Sequence, residues 1–159
     1  MPDTIDTEGR IKIGTINTPD LDGSVADYRD WFDYRVVDEG TLDEAMAVHL
    51  QAPAMAGNRY ALLGPASGRP IYIRMVAGTP VPDYKPLASF GWASLELTIQ
   101  DCDGLAEKLR SSPFEIIGEP AYLDFTDKIY PMQVSGRAGD VLYLNQVNGS
   151  LPDYDLPIA

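Results

Sequence analysis

Gly68-Arg69-Pro70-Ile71-Tyr72-Ile73-Arg74-Met75-Val76 and Gly139-Asp140-Val141-Leu142-Tyr143-Leu144-Asn145-Gln146-Val147 read alike, as Gly-x-x-(Ile/Leu)-Tyr-(Ile/Leu)-x-x-Val. A second pair stands earlier in each half. Thr18-Pro19-Asp20-Leu21-Asp22 and Ile99-Gln100-Asp101-Cys102-Asp103 each close a strand-like run and precede a helical pattern. Two matches in the same order identify an internal repeat. Between the copies, Gly78, Pro80, Pro82 and Pro86 break regular structure, because each proline removes a donor and restricts its predecessor. The chain therefore divides into an N-terminal segment (1–10), a first module (11–76), a linker (77–89), a second module (90–147) and a tail (148–159) that is either loop or the link to a further domain. Each module reads as strand, helix and three strands.

The strands alternate with period two. Gly14 and Ile16 oppose Ile13, Thr15 and Asn17; Ile71 and Ile73 oppose Tyr72 and Arg74. Ala93, Leu95, Leu97 and Ile99 oppose Trp92, Ser94, Glu96 and Thr98; Leu142 and Leu144 oppose Tyr143 and Asn145. The aliphatic faces belong against helices. The opposite faces are polar and aromatic, suited to solvent or to a cavity. An Asp22 or Ser24 cap is expected to start the first helix, with Val25, Tyr28 and Phe32 inward. The second runs from about Asp103 to Arg110, with Leu105, Ala106 and Leu109 inward. An additional helix spans Thr41 to Leu50, with Thr41 and Glu44 as its capping box.

Composition narrows the partners. The 159 residues hold 12 Lys+Arg against 24 Asp+Glu, a net charge of −12. Nucleic acid and anionic membrane both require the opposite balance. The single Cys102 excludes an internal disulfide, and residues 1–10 are polar and acidic with no apolar core of a signal peptide, so a cytoplasmic protein is expected. No apolar run reaches the roughly 18 residues of a membrane helix.

The stretch Ser24-Val25-Ala26-Asp27-Tyr28-Arg29-Asp30-Trp31-Phe32-Asp33-Tyr34-Arg35-Val36-Val37 resembles the first helix and following strand of the vicinal oxygen chelate superfamily (glyoxalases, bleomycin-resistance proteins, extradiol dioxygenases). Asp33 stands where that family usually has Gly, a left-handed position that Asp tolerates better than most residues. The resemblance implies an α+β fold of two tandem β-α-β-β-β modules in an incomplete, U-shaped barrel, and possible homodimers. It also implies metal ligands at one position on each of the first, fourth, fifth and eighth strands. Those positions fall here on Ile13, Tyr72, Ser94 and Tyr143, none a strong ligand for a divalent cation. A metal-free member, with no cofactor, is the expectation.

The expected partner is a small organic molecule in the central cavity, with an aromatic or apolar body and a polar or anionic group. Glu96 is either a partly desolvated general base or the ion-pair partner of Arg74. Arg74 otherwise clamps a ligand anion. Tyr72 and Tyr143, brought close by the repeat symmetry, either donate to an oxyanion or plug the cavity. Trp92, Ser94, Asn145, Tyr60, Tyr130, Thr15 and Asn17 are expected as further lining, and His49 on the additional helix at the mouth. Two functions fit: a metal-independent isomerase or lyase working by proton transfer, or a binding and sequestering protein without turnover. A third possibility is the non-catalytic half of a longer protein. Cys102, flanked by acids, is expected to be structural.

Overall fold

The computed structural model describes residues 11–88, 90–91 and 93–149. The first module contains β1 (Ile13–Thr18), α1 (Leu21–Phe32), β2 (Tyr34–Thr41), α2 (Glu44–His49), β3 (Arg59–Pro65) and β4 (Tyr72–Ala77). The second contains β5 (Leu95–Ile99), α3 (Cys102–Leu109), β6 (Glu115–Gly118), β7 (Ile129–Ser135) and β8 (Val141–Val147). Each module forms a four-stranded mixed sheet, ordered β1-β4-β3-β2 and β5-β8-β7-β6, with the first strand parallel to the last. The two sheets are not closed into one: β1 and β5 each hydrogen-bond on one side only.

The repeat is exact in its turns. Gly68 and Gly139 both adopt φ +75°, and each donates its amide 3.0 Å to a carbonyl three residues back, Pro65 and Gly136. Both helices begin on an aspartate. Asp20 accepts from the Gly23 amide at 3.0 Å, and Asp101 from Gly104 at 2.9 Å. The first cap is thus Asp20, not Asp22 or Ser24, because the Ser24 hydroxyl is taken by Thr18 at 2.7 Å. The α2 cap is Asp43, which accepts from Met46, so Thr41 ends β2 instead of opening a capping box. Asp33 sits at φ 56°, ψ 31°, the left-handed conformation expected of it, and lets the chain turn from α1 into β2.

The helix-side faces of both sheets form one core. Ile16, Leu63, Ile73 and Met75 of the first module share it with Met132, Val134, Leu142 and Leu144 of the second. Phe114, just before β6, packs edge-on against Phe32 and Tyr28 of α1, with ring centroids 4.8 and 5.6 Å away. An ion cluster reinforces the junction. Arg137, in the β7–β8 turn, donates to both oxygens of Asp27 at 2.6 and 3.1 Å and to Asp20 at 2.7 Å. Beside it the Tyr28 hydroxyl donates to Asp140 at 2.6 Å. Ala77, the first residue of the expected linker, ends β4; the rest of the linker contains turns but no strand or helix among its described residues. It starts at a close approach: the Asn17 amide donates to Thr79 O at 3.2 Å, and a Cβ on Gly78 would overlap the Asn17 side chain. Among the described residues no helix is long and apolar enough to cross a membrane.

Candidate functional site

A cleft of about 1720 Å³ runs along the open seam between β1 and β5. Its strand walls come from the ends of β1 and β4 and from β5 and β8; linker residues and the β7–β8 turn complete it. Thr15, Asn17, Tyr72, Ser94, Glu96 and Tyr143 all line it, and so do Gly14, Ile16, Leu95 and Leu97 of the opposite parity, because the cleft follows the open strand edges. Val81, Tyr84 and Leu87 add apolar surface from the linker, held down where the Tyr84 ring rests on Gly139.

Strand register sharpens the arrangement. Ile13 pairs with Tyr72, but Tyr143 pairs with Glu96, two residues beyond Ser94. The modules are therefore offset by two residues in their parallel strand pairs, and the group beside the second tyrosine is a carboxylate. The Glu96 carboxylate accepts a hydrogen bond from the Asn145 amide. Glu96 is exposed, so it lacks the burial proposed for a desolvated base. No ion pair joins it to Arg74.

Several other expectations need correction. Arg74 is not in the cleft wall; it lies near Tyr60, whose hydroxyl donates to Asp38 at 2.6 Å. Tyr60, Asn145 and His49 are also absent from the wall. Tyr130 points the other way: it pairs with Gln146, on the helix side, where its hydroxyl donates to Asp103 at 3.0 Å and its ring meets Tyr122 at 4.6 Å. Tyr72 and Tyr143 line the same cleft, and no hydrogen bond or aromatic contact joins them. Trp92 lies outside the described residues.

The junction cluster escaped the sequence reading. Arg137 and Asp140 both border the cleft. Burial pushes the Asp140 carboxyl above its ordinary range, against the Tyr28 hydrogen bond that lowers it. Burial, followed by the nearby Asp140 charge, holds the Tyr28 phenol well above its ordinary value. Asp20 goes the opposite way, lowered first by the Gly23 amide and then by Arg137.

The residues do not suit the divalent cation that this architecture often carries. Among the described residues no group of three or more His, Cys, Asp or Glu side chains could hold a metal. Ile13, Tyr72 and Tyr143 supply one aliphatic group and two phenols, and Glu96 is a single hard donor.

No protein-family model and no curated protein matches the sequence. Solved structures do match in three dimensions. A glyoxalase family protein from Bacillus cereus superposes with TM-score 0.67 at 14% identity, covering 88% of this chain and 95% of that one. A member of the glyoxalase/bleomycin resistance protein/dioxygenase superfamily from Sphaerobacter thermophilus gives 0.59 at 17% identity, covering 86% and 95%. The chain has the vicinal oxygen chelate fold. TnmS3, an antibiotic binding protein from Streptomyces sp. CB03234, also matches at TM-score 0.61 and 14% identity, over 87% of this chain and 96% of that one.

Within that fold, Cys102 occupies the first helical position, where Leu21 stands in the other module; both are buried. Burial, then Asp103 and Asp101, raise its thiol to about 11. The thiolate is the nucleophile, so Ellman's reagent at pH 8 should leave the native protein unlabelled and react only as the chain unfolds. Rapid stoichiometric labelling of folded protein would contradict this placement.

Proposed function

We propose that the cleft binds a small organic molecule with an aromatic or apolar body and a polar or anionic group, without a metal. The observation that carries this reading is the cleft itself. It is large, bordered by apolar linker side chains and by Tyr34, Tyr72, Tyr84 and Tyr143, and offers poor ligands where a metal site would stand. Concave sites with mostly apolar walls and few polar groups suit such ligands. The antibiotic-binding protein with the same fold supports sequestration as one use of this cleft.

A thermal-shift screen with aromatic carboxylic acids and phenols tests the proposal. Bound ligand raises the melting temperature by mass action. Hits should give a saturating rise, and Tyr72→Phe or Tyr143→Phe should each weaken binding roughly fivefold, the worth of one hydrogen bond. A flat response across the set would refute it.

The β5–β8 register favours a second reading, a metal-independent isomerase or lyase. Here Glu96, acting as an exposed carboxylate oriented by the Asn145 amide and not as a desolvated base, takes a proton from a carbon next to a carbonyl, and the Tyr143 hydroxyl donates to the oxygen that gains charge. In an isomerase Glu96 returns the proton to a different carbon. Glu96→Gln should then abolish turnover and leave binding in place; retained turnover removes Glu96 from this role.

A further inference from the structure

Five charged side chains border the cleft: Lys12, Arg69, Glu96, Arg137 and Asp140. Three are committed within the protein. Arg137 holds Asp27 and Asp20, Asp140 takes the Tyr28 hydroxyl, and Glu96 takes the Asn145 amide. Arg69 has no hydrogen-bonded or ion-pair partner for its guanidinium among the described residues, although it sits in a chain of net charge −12. Its place is fixed by backbone. Ile71 N donates to Arg69 O at 2.8 Å, and Tyr72 N donates to Lys12 O at 2.7 Å, so Arg69, Lys12 and Tyr72 gather at one end of the β1–β4 pair.

We infer that this end of the cleft receives a carboxylate of the ligand. The inference rests on the reading of the cleft as a small-molecule site, and it moves the anion anchor from Arg74, which is outside the wall, to Arg69. The guanidinium presents a planar fork that matches two carboxylate oxygens, and a phenol adds a third donor. Lys12 adds positive potential. A monoanion fits better than a dianion, since the acidic chain repels negative charge at longer range and the local cations must outweigh that repulsion.

Calorimetric titration with 2-naphthoate and its neutral isostere 2-naphthamide tests the assignment, on wild type and Arg69→Gln, at low and high salt. Wild type should prefer the carboxylate about tenfold at low salt, and the preference should shrink as salt screens the pair. Arg69→Gln should remove most of the preference by weakening carboxylate binding, with a much smaller effect on the amide. Its melting temperature without ligand should match wild type, because Arg69 is an exposed turn residue. Equal affinity of wild type for both probes, or a preference that survives Arg69→Gln, overturns the anchor while the cleft reading stands. If neither probe binds wild type, the cleft reading and the anchor fall together.

Discussion

Truncating Phe114 to alanine should destabilise the protein by about 3–5 kcal/mol, a loss of roughly 10 °C in melting temperature for a chain of this size. Phe114 belongs to the second module, yet its ring is buried against Phe32 and Tyr28 of α1. Removing it leaves a void where three rings met, and loses both the transfer term and the dispersion contacts of its neighbours. A leucine in its place should recover more than half of the loss by filling volume. Chemical denaturation read by circular dichroism measures the effect. A cost below about 1 kcal/mol would mean the two modules do not share the core described here.

Arg137→Ala should cost about 2 kcal/mol. Removing one member of a fully buried pair typically costs more. Here the guanidinium side chain is 38% exposed, and solvent discounts the interaction. Asp27 is different: its side chain is only 8% exposed, so loss of Arg137 strands a carboxylate away from water. Arg137→Lys should be only a partial remedy, because an ammonium cannot reproduce the two-pronged contact with Asp27. The double variant with Asp27→Asn should be more stable than Arg137→Ala alone, since it removes the stranded charge. Additive effects in that pair would show that the contact carries no stability.

The fold was legible because its signals are local. Glycine turns at Gly68 and Gly139 adopt the same left-handed conformation, and the strands between the punctuation alternate cleanly. The left-handed Asp33 was readable from the resemblance, since it stands where that family usually has Gly. Cap identity was less so: Asp20, Asp22 and Ser24 are all good acceptors, and only tertiary contacts decide among them, Ser24 being taken by Thr18 and Asp22 by Arg59. The offset between modules was invisible for a specific reason. A shift of two residues keeps every side chain on its face, so period-two reasoning cannot distinguish Ser94 from Glu96 as the neighbour of Tyr143. Tyr130 failed for the opposite reason. Its face depends on pairing with Gln146, and an error of one residue reverses it. The Arg137–Asp27 contact joins residues 110 apart with no local pattern to announce it.

The most direct test of a metal-free ligand cleft is calorimetric titration of the best carboxylate from the thermal-shift screen, before and after exhaustive treatment with a chelator. The account predicts saturable binding with an unchanged dissociation constant in the two preparations. Binding that disappears on chelation and returns with a divalent cation would contradict it.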